Sequence, residues 1–376
     1  MTTMKKYLFL IATATAFVAC SNDEVQKDAA DQLSQGQEIT FSIDIPAETR
    51  ANNTSTLISG EENFYVWADQ VEMVNANSNL REGFINAWKL QTANPSTSLT
   101  TTGTTHKWPV INRLRFYAIH GNFSGTHSTI TANTSPFPKS ALSDEEAAVE
   151  TNLGPLTHTV PEVQTNTSNG NLNYQKADLL YAVIPTTGMV NPVPLHFYHL
   201  MSKLVVKIVK GQGITLSELN TATVQIVRVK NKVTFTPKKL KMSEQEVSDL
   251  LTYDGSDLTN ASTRGTTLAS MLSLPAQELV DISISTNVNE YASGTKTEAA
   301  ILVPQEFAAN NEEAGIKITW SGKNVLIPFA GLTFEPGKVY TYTITLDHVG
   351  SSYDFNPTIS TWGNNNNVAI DVTSGS

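Results

Sequence analysis

Ile39-Thr40-Phe41-Ser42-Ile43-Asp44-Ile45 decides the fold class. Apolar residues at 39, 41, 43 and 45 alternate with polar ones at 40, 42 and 44. A period of two puts the four apolar side chains on one face, the mark of a half-buried strand. The same pattern continues outward from there. Phe64-Tyr65-Val66-Trp67-Ala68 and the runs at 114–119, 179–183, 204–209 and 223–229 read as strands. So do 282–285 and 299–303, the latter stopped by Pro304. Residues 316–320 and 324–328 flank Ser321-Gly322-Lys323, the clearest hairpin in the chain. Tyr340, Tyr342, Ile344 and Leu346 alternate with Thr341, Thr343 and Thr345, and threonine suits a strand with one wet face. Ser143-Asp144-Glu145-Glu146 and residues 243–251 predict two short helices, neither long enough to organise a fold. The polar stretches 92–105, 121–135 and 165–173 predict long surface loops. The chain is therefore expected to be all-β.

The N-terminus bears on the compartment. Lys5 and Lys6 precede a largely apolar run, 7–19, that is shorter than the roughly 20 residues a membrane span needs. The run closes in Phe17-Val18-Ala19-Cys20, and Cys20 is the chain's single cysteine. A small residue before a cysteine in this position resembles a bacterial lipobox, although Phe17 stands where leucine is usual. The resemblance implies that Cys20 becomes the lipidated first residue of the mature chain. The alternative is an ordinary secretory signal. Ser21-Asn22-Asp23-Glu24 resembles the surface-export signals of Bacteroidales-type lipoproteins, or is simply a solvated tether.

One cysteine leaves no intramolecular disulfide, so stability rests on the core. The net charge of −10 argues against nucleic acid, whose phosphates need a basic face. The expected division is a signal at 1–19, a tether at 20–37 and β-sandwich domains at 38–190 and 191–376. The boundary is placed at Asn191-Pro192-Val193-Pro194, where two prolines interrupt pairing.

Chemistry is sparse. His196 and His199 form an i, i+3 pair, but no Cys, Asp or Glu within ten residues completes a metal site. There is no nucleophile elbow, zinc-protease motif or phosphate loop. Neither a catalytic group nor a cofactor is expected. Trp67 and Trp320 sit in apolar strands and read as core. Trp88 and Trp108 adjoin polar loops and read as candidates for exposure, where a sugar could stack.

A series of short motifs adds a family. Ile39-Thr40-Phe41-Ser42 is closed by Glu48-Thr49-Arg50-Ala51. Ala177-Asp178-Leu179-Leu180-Tyr181-Ala182 precedes Leu195-His196-Phe197-Tyr198-His199-Leu200-Met201-Ser202-Lys203-Leu204. Leu302-Val303-Pro304-Gln305, Phe334-Glu335-Pro336-Gly337-Lys338-Val339-Tyr340-Thr341-Tyr342 and Ile359-Ser360-Thr361-Trp362 follow. In this order, across nearly the whole chain, the series resembles the fimbrillin-like (Mfa-like) subunits of type V pili.

The resemblance implies two tandem transthyretin-like β-sandwiches in a fimbrial lipoprotein of the cell surface. It implies a subunit contributing to adhesion, without enzymatic activity. It also implies maturation by a trypsin-like cut after an arginine, onto which Arg50 maps. The cut releases the first strand, with Ile39, Phe41, Ile43 and Ile45, and a terminal strand of another subunit takes its place. Val368, Ile370 and Val372 alternate with Ala369, Asp371 and Thr373 and are the candidate donor. An ordinary last strand or a frayed tail is the alternative. The expected partners are other subunits and, through the lipid, the outer membrane. The rival reading is a non-polymerising surface lipoprotein that binds glycan or host protein through its N-terminal loops.

Overall fold

A strand forms where alternate side chains can be given two different environments, and this protein applies that rule along nearly all of its described length. The structure, a computed structural model, describes residues 37–44, 64–74, 77–92, 98–101, 103, 105–109, 113–123, 130, 134–137, 151–152, 154–165, 173–187, 189–237, 267–286, 294–347, 352–353 and 358–361. Both predicted short helices lie outside these residues.

The first strands are β1 (Phe41–Asp44), β2 (Phe64–Val74), β3 (Asn77–Thr92), β4 (Ser98–Thr101) and β5 (Arg113–His120). Then come β6 (Thr134–Ser135), β7 (Thr151–Asn152), β8 (Leu156–Thr159), β9 (Val163–Thr165) and the single turn of helix α1 (Asn173–Lys176). β10 (Leu180–Thr187), β11 (Val193–His196) and β12 (Tyr198–His199) complete the first half. The second half opens with β13 (Ser202–Lys210), α2 (Leu216–Thr221), β14 (Thr223–Val229), β15 (Lys232–Phe235) and β16 (Leu272–Ser273). β17 (Val280–Ser285), β18 (Thr295–Leu302), β19 (Gln305–Glu306), β20 (Gly315–Trp320) and β21 (Lys323–Pro328) follow. The last are β22 (Thr333–Phe334), β23 (Lys338–Leu346), β24 (Ser352–Tyr353) and β25 (Thr358–Thr361).

Eight strands make one sheet in the order β11-β1-β4-β3-β2-β5-β10-β12. Its two terminal strands are separated in sequence by Phe197 alone, so the sheet bends round until its ends meet. The enclosed face carries Ile39, Phe41, Phe64, Val66, Leu114, Phe116, Leu180, Val193, Leu195 and Phe197 in one apolar cluster. The opposite face of β2, β5 and β10 is buried too. Trp67, Tyr117, Ile119 and Tyr181 belong to a second cluster shared with the C-terminal half. Burial on both faces explains why these strands read as unbroken apolar runs. Ile85 and Trp88 both face inward at an odd spacing because β3 bulges between them, with Ala87 at φ 52°.

The C-terminal half packs two five-stranded sheets around the second cluster. One runs β18-β13-β23-β24 with β25 also on β23, and the other runs β21-β20-β14-β17-β9. The predicted hairpin is present as β20–β21, with Trp320 opposite Lys323. Ser321 and Gly322 take φ of 45° and 74°, the two positive values that a tight hairpin turn requires. A bulge at Arg228 shifts the alternation of β14 by one residue, so that Ile226 and Val229 are both buried.

Pairing crosses the middle of the chain. β8 pairs with β15, and β9 pairs with β17. Gln164, fully buried, donates from Nε2 to the Ile301 carbonyl and accepts the Ile301 N–H on Oε1, both at 2.8 Å. The Asn231 carbonyl accepts the Val160 N–H at 2.7 Å. The two prolines expected to interrupt pairing do not do so: Pro192 precedes β11, and Pro194 lies inside it opposite Ser42. β11 runs parallel to β1, with Phe41 opposite Val193 and Ile43 opposite Leu195.

Candidate functional site

The site of interest is the groove that holds β1. Ile39 and Phe41 are buried, and Ile43 is partly buried against the same cluster. Phe41 meets Trp88 edge-on at 5.5 Å and Phe116 at 5.5 Å and 87°. Trp108 packs on Phe116 at 5.8 Å. Trp88 is pinned by its indole N–H, which donates to Thr101 Oγ1 at 3.1 Å. Leu99 of β4, directly opposite Phe41, closes one side of the groove, and Val193 and Leu195 close the other. Burying one such side chain contributes roughly 1.5–3 kcal/mol.

The main chain of the seated segment is held on both flanks. On one flank, Ile39 N–H donates to the His106 carbonyl at 2.9 Å, and Trp108 N–H donates to the Gln37 carbonyl at 3.0 Å. β4 takes over at Phe41 and Ser42. On the other flank Val193 N–H donates to the Thr40 carbonyl at 2.8 Å. Ahead of that point the partner is a side chain. Asn191 Oδ1 accepts from Thr40 N–H at 2.8 Å and from Thr40 Oγ1 at 2.7 Å, and Asn191 Nδ2 donates to the Glu38 carbonyl at 2.8 Å. At the rim, Thr105 Oγ1 donates to Glu38 Oε1 at 3.2 Å. The His106 ring stands 4.7 Å from Trp88, and its partial burial lowers its pKa.

The sequence-predicted residues are placed unevenly. Phe41 and Ile43 stand on β1 and Ile39 just ahead of it, all three in the same apolar cluster. Ile45, Cys20, Arg50, Val368, Ile370 and Val372 lie outside the described residues. Trp67 and Trp320 are core, as expected. Trp88 and Trp108, expected to be exposed, are 7% and 3% exposed. They line the groove: Trp88 is held by Thr101 and His106, and Trp108 packs on Phe116. The stretch 92–105, expected to be loop, contains β4. Its one signal in the sequence was Leu99, a lone branched apolar residue among threonines and serines. Asn191 was read only as part of a boundary.

His196 and His199 sit on the two strands at opposite ends of the sheet path. His196 packs on Tyr198 at 4.9 Å. His199 is buried with Nδ1 2.7 Å from Asp178 Oδ2, a carboxylate that distance in sequence concealed. Among the described residues no group of three or more His, Cys, Asp or Glu gathers as a metal site. Deeper in the joint, His158 accepts the Asn122 N–H on Nδ1 at 3.0 Å, while Nε2 lies 2.9 Å from the Ala177 carbonyl. That pattern needs a neutral ring. Burial first, with His120 nearby adding to it against the opposing Ala177 contact, pushes its pKa down to about 4.

The sequence pattern of the family described as fimbrillin-like matches residues 49–362, beginning beyond β1 and ending before Val368. No curated protein matches the sequence. Among solved structures, the chain is similar to a candidate cell adhesion protein of Bacteroides ovatus at 15% identity and TM-score 0.49, covering 87% of this chain and 98% of that one. A candidate cell adhesion protein of Bacteroides uniformis is similar at 14% and 0.47, covering 87% and 99%. A fimbrial protein of Bacteroides vulgatus is similar at 14% and 0.42, covering 86% and 99%.

Proposed function

This chain belongs to the fimbrillin-like family, and from that premise we propose that it is a cell-surface fimbrial subunit assembled by strand donation and contributing to adhesion. In this reading residues 1–19 are a signal peptide, Cys20 carries the lipid that reaches the outer membrane, and 20–37 form the tether. The two halves, expected to divide at 190/191, are two tandem transthyretin-like sandwiches, with β11 and β12 completing the first and 156–165 lent to the second. A trypsin-like protease cuts after Arg50. β1 then leaves, and Val368, Ile370 and Val372 of another copy occupy the positions of Ile39, Phe41 and Ile43. The subunit works as a binding and structural element, without cofactor or catalysis.

One observation supports this reading above the others. β1 sits inside the sheet, between β11 and β4, while belonging to the first described segment of the chain. Its loss would leave two facing rows of unpaired backbone groups and bare the rings of Trp88 and Phe116. A strand from another chain with the same alternation restores both ladders and the buried face, which is β-augmentation. The rival reading, a non-polymerising glycan or host-protein binder, loses its two candidate stacking rings to the core.

Three forms test the proposal: the uncut chain, the chain cut at Arg50, and a cut chain ending at Trp362. Only the cut full-length form should build ladders stable to mild detergent. Ladders from the truncated form would reassign the donor, and ladders from the uncut form would remove the role of Arg50. If no form polymerises, strand donation is wrong.

A further inference from the structure

β11 is entered through two prolines, and proline has no N–H to give. Val193 N–H donates to the Thr40 carbonyl. Alternation then turns the nitrogens of Pro192 and Pro194 away from β1, so the prolines subtract nothing from that ladder. One step earlier the groove still needs an acceptor for the Thr40 N–H and a donor for the Glu38 carbonyl, and the position facing them is Asn191, ahead of the start of β11 at Val193. We propose that the side chain of Asn191 completes the ladder there and fixes the register of whichever strand occupies the groove.

An amide side chain suits the task because it is a peptide group on a stem, with an acceptor and two donor hydrogens. Thr40 N–H can only donate and the Glu38 carbonyl can only accept, so the orientation of the Asn191 amide is set. Oδ1 faces Thr40 and Nδ2 faces Glu38, each at 2.8 Å. These two contacts read main chain alone. The third, from Thr40 Oγ1 at 2.7 Å, reads a hydroxyl. Asn191 is therefore a positioning residue that accepts many sequences in one register and favours Ser or Thr at the position of Thr40. That it acts on an incoming strand rests on the strand-donation reading. That it clamps the chain's own strand does not.

Hydrogen exchange on the full chain tests the clamp. Asn191→Ala should speed exchange of the Thr40 amide and its neighbours in 37–44 about tenfold, and leave β13 unchanged. Asn191→Asp keeps the acceptor and loses the donor, so it should fall between. Thr40→Val should speed exchange in the wild type and add nothing to Asn191→Ala. Equal exchange in wild type and Asn191→Ala overturns the clamp, and additive effects of the two substitutions overturn the hydroxyl contact. For the incoming strand, the chain nicked at Arg50 is offered a synthetic peptide of residues 37–44. Asn191→Ala should retain it about tenfold less well. Equal retention overturns the extension to incoming strands. If the nicked wild type takes up no peptide, strand donation itself fails, and the exchange data alone decide the clamp.

Discussion

β1 and β13 have the same kinds of neighbour and very different grips. Each lies between one parallel and one antiparallel strand: β1 between β11 and β4, and β13 between β23 and β18. β13 is matched from Ser202 to Val209 by β18 and from Lys203 to Lys210 by β23. β1 is matched by β11 only from Phe41 to Asp44, and by β4 only at Phe41 and Ser42. Leu204, Val206 and Ile208 are wholly buried, whereas Ile43 is only partly so. A place inside a sheet therefore does not by itself set how firmly a strand is held. The length of ladder on each side does, and the segment carrying β1 holds mainly through Phe41 and, just ahead of the strand, Ile39.

Breaking the longer grip should have the largest effect. Val206→Asp sets an unpaired charge in the centre of β13, and a loss of about 5 kcal/mol or more should leave no folded chain. Circular dichroism of the purified variant checks this, and a native spectrum would contradict the comparison. Phe41→Ala attacks the shorter grip. It should remove about 4 kcal/mol, confined to the eight-stranded sheet. Hydrogen exchange should rise in β1, β4 and β11 while β13 and β23 keep their protection. Uniform loss of protection would mean that the two regions unfold as one.

His158 sharpens the comparison, since its strand β8 ties the first half to β15 of the second. Its folded pKa of about 4 lies below the ordinary 6.5, so the neutral ring is the folded form. The stability it confers is complete above pH 6.5, declines as pH falls towards 4, and is gone below that. At about 1.4 kcal/mol per pKa unit the full loss is about 3 kcal/mol. Denaturant titrations between pH 7 and pH 4 should record it, and His158→Gln should flatten that stretch of the profile. An equally steep profile in the variant would place the acid sensitivity elsewhere. The smallest effect is local to the C-terminal half. Gly322→Ala forces a Cβ into a positive-φ turn position and should cost about 1 kcal/mol. A shift in the thermal midpoint of the C-terminal half, without any change in the exchange of β1, is the expected reading.

Much of this was legible in advance. The alternation at Ile39, Phe41 and Ile43, the hairpin at Ser321-Gly322 and the run from Tyr340 to Leu346 are period-two signals, and strands stand at each. Long-range pairing was not legible. Leu99 gives no hint that it will lie opposite Phe41, and 156–165 give none that they will join sheets of the second half. A bulge hid further structure, because Ala87 breaks the period that strand reading depends on, whereas 223–229 was legible as a strand despite its bulge at Arg228. Trp88 and Trp108 were misplaced for the same reason, since their burial comes from chain that is distant or looks like loop. One signal was present and passed over. Thr215-Leu216-Ser217-Glu218 is a capping box, and the Thr215 hydroxyl accepts the Glu218 N–H at the start of α2.

The join through Phe197 has a mechanical consequence. Because β11 and β12 are tied by that one buried residue, a pull on either end of the eight-strand path is carried around the ring. β1 occupies one place in that ring, and neighbouring strands stand about 4.8 Å apart. If β1 is drawn out, β11 stays moored to β12, and β4 stays moored to β3. The two edges cannot slide together to heal the break, so the slot keeps a gauge of about 10 Å. That width admits one extended chain and refuses a helix, whose diameter with side chains is about 10–12 Å. On the strand-donation reading, the ring would act as a caliper, sorting what enters by backbone shape before any side chain is read.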